Sequence, residues 1–333
     1  MQTTRPAADR VSVRVIRTAS LRARGYTDAR IKTLLRRGIL IRVERGCYVT
    51  ATLAQSILGL PDGQHLLDVT AALAGPRPGL VVSHCSAARL HGLDLLERPG
   101  SEVTLTRIAG TGSRRPGRGV RLASAAVPAG QRTTRYGLPV TSVPRTVVDV
   151  ARTSSFRAGV VTADSALRLK LTTKDELRQV LVMCRRWPGV GRATEVVEFA
   201  EGLSESALES ICRVAFRDLG LPPPQLQVRV GGERGEIARA DFLWKQFDTI
   251  AEADGALKYA DPDRARQQLW RDARLHEAGF QVVHITWSEI TRYPDNVAVA
   301  LRAAFQRGLA VRAAEASQAR ERRSAPTASL PAG

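Results

Sequence analysis

The stretch from Ala238 to Gly255 constrains the fold more than any other part of the chain. It reads as two strands around a short turn, with acids where a core strand has no need of them. With the turn centred between Gln246 and Phe247, Asp241 lies opposite Glu252 in an antiparallel ladder, and Glu252 shares a face with Asp254. Directly opposed residues have Cβ atoms about 4.5–5.5 Å apart, so like charges there repel. Carboxylates crowded on one face require a compensating cation, and a hard divalent ion with oxygen ligands, Mg²⁺ or Mn²⁺, is the usual one. The competing reading is a solvent-exposed hairpin face whose acids serve solubility. Phe242, Leu243, Trp244 and Ile250 flank the acids and favour a buried sheet instead. A one-residue change of turn would separate Asp241 from Glu252.

At 333 residues the chain is long enough for two or three domains. Its formal net charge of +18 favours a polyanionic partner, nucleic acid first. An anionic membrane surface is the rival, but no apolar run approaches the roughly 20 residues of a spanning helix. Met1 to Arg10 is polar and no apolar signal core follows, so a cytoplasmic location is expected. Cys47, Cys85, Cys184 and Cys212 lie far apart and form no CxxC pair, which excludes a zinc knuckle and a disulfide framework. The charge is uneven. Residues 1–50 carry twelve Lys/Arg against Asp9, Asp28 and Glu44, and the acids gather between about Glu195 and Asp263.

In residues 1–60, Thr27 can cap a helix whose apolar stripe is Ile31, Leu34 and Leu35, with Gly38 as its stop. Arg30, Lys32, Arg36 and Arg37 cover the rest of that helix. A shorter helix over Thr18 to Arg24 precedes it, and a hairpin carrying Arg42 and Arg45, with its turn near Glu44 to Gly46, follows it. This is the layout of a winged helix-turn-helix, in which the basic helix enters the major groove and the wing touches phosphates. A solvated basic helix in a small domain is the competing reading. The run from Leu21 to Val49, ending in Arg45-Gly46-Cys47-Tyr48-Val49, resembles the N-terminal winged helix of AbiEi-family type IV antitoxins. That resemblance implies binding of duplex DNA and, in a toxin–antitoxin setting, a cognate toxin as partner.

Residues 61–190 read as a mixed α/β connecting region. A helix turn starts near Ser83, a helix opens at Pro144, and Thr173-Lys174-Asp175-Glu176 is a capping box. His84 and His91 have no acid or cysteine pair to complete a metal site, so packing or capping is expected of them. Arg114, Arg115 and Arg118 sit among glycines in a basic loop that either touches phosphate or is merely solvated.

Residues 195–310 give a Ser-capped helix over Ser204 to Phe216, strands near Gln225 to Val230, the acidic hairpin, a helix from Pro262 to Gly279, a strand over Phe280 to Trp287 and a last helix from Pro294 to Arg307. Trp270 and Trp287 are read as core rather than as base-stacking platforms, and Arg271-Asp272 as either part of a site or a solvated helix face. The order of elements resembles the Vsr-like branch of the PD-(D/E)XK endonuclease superfamily, in particular the domain that follows AbiEi-like heads in actinobacterial proteins. The carrying residues are Glu209, Asp241, the Glu252-x-Asp254-Gly255 run, Lys258-Tyr259, Arg271-Asp272, Leu275, Gly279 and Trp287.

The resemblance implies metal-assisted phosphodiester hydrolysis, with Asp241 and Glu252 holding the ion, Asp254 beside them, and Glu209 as a further ligand or water-orienting group. The lysine that usually follows the acid by two residues is replaced by Asp254, leaving Lys258 or Arg271 to supply the cation. Residues 311–333 lack periodicity and are expected to be a disordered tail. The expected fold is therefore a multidomain α+β and α/β chain: a winged helix-turn-helix, a mixed middle and a restriction-endonuclease-like domain. Three functions compete: a Mg²⁺- or Mn²⁺-dependent nuclease directed to DNA by its head, a non-catalytic AbiEi-like antitoxin or repressor with a degenerate nuclease fold, and a scaffold or RNA-binding module.

Overall fold

The computed structural model describes residues 12–74, 79–97, 100–108, 119–232, 235–255 and 262–324. The chain divides into two compact units, Met1–Gly202 and Leu203–Gly333.

The first unit opens with β1 (Ile16–Arg17), α1 (Thr18–Ala23) and α2 (Asp28–Arg36), followed by β2 (Leu40–Glu44) and β3 (Cys47–Thr50). The three strands pair in the order β1-β3-β2. Thr27 caps α2 as its sequence suggests, its hydroxyl accepting from the Arg30 N–H at 3.3 Å. Gly46 takes a φ of +75° in the hairpin turn, a conformation that favours glycine. Leu21 of α1, Ile31 of α2, Leu40 and Tyr48 form a small core under these elements.

Helices α3 (Ala51–Leu58) and α4 (Gly63–Leu73) lead to a second sheet. Its strands are β4 (Leu80–Val82), β5 (Val103–Ile108), β6 (Val120–Ala125), β7 (Arg132–Arg135) and β8 (Leu138–Thr141), in the order β6-β5-β4-β8-β7. Helix α5 (His84–His91) joins β4 to β5, and α6 (Val143–Thr153), α7 (Phe156–Arg168), α8 (Lys174–Met183) and α9 (Val190–Phe199) follow. The capping box at Thr173 and Glu176 forms with both reciprocal bonds.

Residues 1–60 and 61–190 share one core. Val13 and Ile57 pack in the same cluster as Leu66, Val82, Leu105 and Val140, and the Val13 N–H donates to Tyr136 O at 2.8 Å.

The second unit contains α10 (Ala207–Asp218), β9 (Gln225–Gly232), β10 (Gly235–Trp244), β11 (Thr249–Asp254), α11 (Pro262–Glu277), β12 (Gln281–Thr286), α12 (Trp287–Arg292) and α13 (Pro294–Ser324). Its sheet runs β12-β11-β10-β9, antiparallel except for β11 and β12, which α11 connects in parallel. Phe216 of α10 meets Phe242 and Trp244 edge-on, and Phe305 of α13 stacks on Phe247.

Two expectations are corrected here. Trp270 and Trp287 are not core: they are 66% and 42% exposed. Nor is the segment from residue 311 structureless, because α13 continues to Ser324; residues 325–333 lie outside the described residues. Alanine-rich sequence sustains helix without a buried face, and it is the buried face that periodicity detects. No helix among the described residues is long and apolar enough to cross a membrane.

Helix α13 rests on the short turn at Lys245–Phe247 through Gly308, where an added Cβ would overlap the Phe247 carbonyl. Gly308→Ala is therefore expected to destabilise the second unit by about 2–4 kcal/mol, read as a lowered urea midpoint.

Candidate functional site

Side chains two apart in a strand share a face, so Ile250, Glu252 and Asp254 of β11 point the same way. Ile250 packs with Leu243, Val282 and Leu275 of α11, which sets that face beneath the helix. Glu252 and Asp254 are buried there, 3% and 2% exposed. The parallel register sets Glu252 beside His284 of β12. His284 bridges two acids: Nδ1 to Asp254 Oδ2 and Nε2 to Asp272 Oδ2, both at 2.9 Å. From α11, Gln268 donates to Glu252 at 3.2 Å and to Asp272 at 3.2 Å, and Arg271 forms an ion pair with Glu252. Gln268, Arg271, Asp272 and Leu275 are three or four apart, so one helical face carries all four. One ligand atom each from Glu252, Asp254 and His284 lie within 4.8 Å of one another.

His284 is held at a pKa of about 9, chiefly by its hydrogen bond to Asp254; burial opposes the shift, and the charges of Asp254 and Asp272 add to it. It is an imidazolium at neutral pH. A pKa raised on folding contributes stability that is complete below the unfolded value near 6.5 and is lost as pH rises through about 9. In EDTA, the second unit should lose on the order of 1–2 kcal/mol of stability between those limits, discounted because the side chain is 26% exposed. Urea midpoints across the range should fall for the native sequence and stay level for His284→Gln.

Asp241 behaves differently from its sequence expectation. The register Phe242↔Ala251 and Leu243↔Ile250 does set it opposite Glu252. Its carboxylate is taken up elsewhere: Oδ2 accepts from the Ala253 N–H at 2.9 Å and Oδ1 from Gln227 at 3.1 Å. The backbone ladder between β10 and β11 ends at Phe242↔Ala251, and the Asp241 side chain supplies the acceptor that the next strand amide needs. Gln227, at a φ of +53°, also donates to Glu209 at 2.8 Å. Glu209 and Asp241 thus form a second carboxylate pair around one amide, distinct from the Glu252–Asp254–His284 group. Burial raises the Glu209 pKa first, and the Asp241 charge adds to it, against hydrogen bonds from Glu205, Ser206 and Gln227.

Glu252, Asp254 and His284 are brought together, whereas the carboxylate of Asp241, expected to hold an ion with Glu252, is engaged by Ala253 and Gln227. Lys258 lies outside the described residues. His284, Gln227 and Gln268 were not expected. The one sequence signal for His284 is a lone titratable group inside the apolar run Val282 to Ile285.

In the first unit Arg30, Lys32, Arg36, Arg37, Arg42 and Arg45 are all exposed. None of the six forms an ion pair with a described residue, whereas Arg22 is paired with Asp28 at 2.9 Å. Arg30 lies over the Tyr26 ring at 5.1 Å, and Arg36 donates to Thr33 at 3.3 Å. His91 is structural, as expected: it is buried against the Thr141 carbonyl at 2.8 Å, with its pKa lowered by burial to about 4. Arg114, Arg115 and Arg118 lie outside the described residues.

No family model matches the chain. Two proteins of Mycobacterium tuberculosis, each described as uncharacterized, are similar to it: MT2308 of strain CDC 1551 and Rv2248 of strain H37Rv. Each is 34% identical over 153 residues, 46% of this chain. The chain spans 56% of the length of either relative. The crystal structure of the RV2827C protein from the same organism is a distant neighbour, with a TM-score of 0.38 and 16% identity over 67% of this chain and 85% of that one.

Proposed function

We propose that this chain binds duplex DNA through α2 and the β2–β3 hairpin, and that its second unit is a metal-dependent phosphodiesterase of the endonuclease type. The observation that carries the first half is the set of six exposed cations without carboxylate partners on two adjoining elements. Paired arginines have their charge spent internally; unpaired ones release counterions when they meet phosphates. The elements α1, α2 and the hairpin, with sheet order β1-β3-β2, are the parts a winged helix-turn-helix requires. Helix α2 would lie in the major groove, and Arg42 and Arg45 would meet the backbone.

For the second half, two buried carboxylates and an imidazole within 4.8 Å fit a divalent ion, whose binding would displace the Nδ1 proton that His284 carries without it. Carboxylates alone would suit Mg²⁺; the imidazole nitrogen shifts the preference toward Mn²⁺. A bound ion would supply an activated water and offset charge on the attacked phosphate. Of the chain's own groups, Arg271 is the cation beside the cluster, and Gln268 orients both Glu252 and Asp272.

The second reading, a non-catalytic antitoxin-like repressor, has one observation in its favour. Arg271 and His284 already match the charges of Glu252 and Asp254. In that reading a cognate toxin is the further partner.

Fluorescence anisotropy with a labelled duplex tests the DNA-binding half. Affinity should fall steeply with salt, with a log–log slope of about −0.9 per phosphate contacted. Absent or salt-insensitive binding would contradict it, and stronger competition by RNA than by duplex DNA would replace it with the RNA-binding alternative.

A further inference from the structure

The first unit contains a cavity of about 550 Å³ between α5, the edge of the five-stranded sheet and α6, within the size range of small-molecule sites. Leu95, Leu122 and Val150 give it apolar wall. Two polar groups facing it have no structural task. His84 is 9% exposed, and its Nε2 has no hydrogen-bond partner among the described residues. Arg121, an exposed residue on the edge strand β6, lines the same cavity without an ion pair to a described residue.

Two hydroxyls lie on the Nδ1 side of the His84 ring: Thr106 Oγ1 donates to Ser83 Oγ at 2.7 Å, and Ser83 Oγ is 2.9 Å from Nδ1. In the tautomer whose Nδ1 accepts from Ser83, the neutral ring carries its proton on Nε2. Burial, together with the charges of Arg152, Arg145 and Arg121, lowers the His84 pKa against the opposing pull of Asp149, consistent with a neutral ring. His84 also holds a φ of +51°, a backbone conformation rare outside glycine and found disproportionately at functional sites.

In that tautomer His84 Nε2 and Arg121 are both donors, so the complementary ligand is an acceptor. A cavity of about 550 Å³ is sized for a small molecule and not for a nucleic-acid backbone, and Arg121 is the cation of its lining beside Glu97 and Glu102. We propose that this cavity binds a small carboxylate with an apolar, ring-sized body. The carboxylate accepts from His84 Nε2 and Arg121, and the body lies against Leu95, Leu122 and Val150. The site is independent of DNA binding and of the acidic cluster, and it makes the first unit a receptor for a small organic acid.

Equilibrium dialysis of 2-naphthoate against the full-length chain, at about 0.15 M salt to screen the general positive field, tests this. Saturable binding of one molecule per chain is expected, weakened about tenfold by Arg121→Met and likewise by His84→Phe, which removes the Nε2 donor. Arg186→Met, which removes an exposed arginine outside the cavity, should leave it unchanged. Because Arg121 is exposed, its variant should fold normally and keeps the test decisive should His84→Phe not fold. No saturable binding at millimolar ligand, or binding indifferent to Arg121→Met, overturns the proposal. Equal binding of the neutral 2-naphthamide overturns the anionic assignment.

Discussion

Replacing Arg30, Lys32, Arg36 and Arg37 together by alanine should weaken duplex binding about 10³-fold at about 0.1 M salt and flatten the salt slope by about 3–4. The size follows from counterion release, since each neutralised phosphate contributes roughly the same increment. Folding should survive the change. All four side chains are exposed, and the helix is held by Ile31 packing on Leu21, Leu40 and Tyr48 rather than by its cations. Alanine also raises helix propensity slightly. Titrations of the variant and the native chain at several salt concentrations separate lost phosphate contacts, which lower the slope, from a misfolded head, which would abolish binding altogether. An unchanged slope would remove α2 from the interface.

The second large effect is expected within the acidic cluster. Arg271→Ala should destabilise the second unit by about 2–3 kcal/mol, because it leaves the Glu252 charge in a nearly closed site. Arg271 is itself 31% exposed, which keeps the expected loss at the lower end for a broken buried pair. Adding Glu252→Gln to the same chain should recover much of that loss, since the buried charge is then gone as well. A double-mutant cycle in urea gives the coupling directly. Simple additivity would mean that the pair contributes nothing, and that the hydrogen bond from Gln268 and the rest of the surroundings accommodate Glu252 without Arg271.

The hairpin and α2 were legible because their determinants are local. The turn at Lys245–Phe247 fixes the register from within a few residues, and Thr27 and Gly38 bracket α2 by capping chemistry. His284 was not legible for the opposite reason. It reaches Asp254 only because β12 returns parallel to β11 after the whole of α11, and nothing local specifies that pairing. Asp241 shows a subtler limit. Its register was readable, but the fate of its carboxylate depended on a ladder ending one residue earlier, with an amide left to satisfy. The exposure of Trp270 escaped because aromatic character alone does not say which side of a helix faces the core; Leu275, five residues on, occupies that side.

Plasmid nicking is the most direct test of the proposal that one chain joins a DNA-holding head to a strand-cutting unit. Full-length protein with supercoiled plasmid and Mn²⁺ should convert it to the open-circular form. Glu252→Gln and Asp254→Asn should each abolish conversion while leaving salt-dependent DNA binding intact. Conversion that persists in both variants, or none by the native chain while it binds the plasmid, would contradict it and leave the repressor reading.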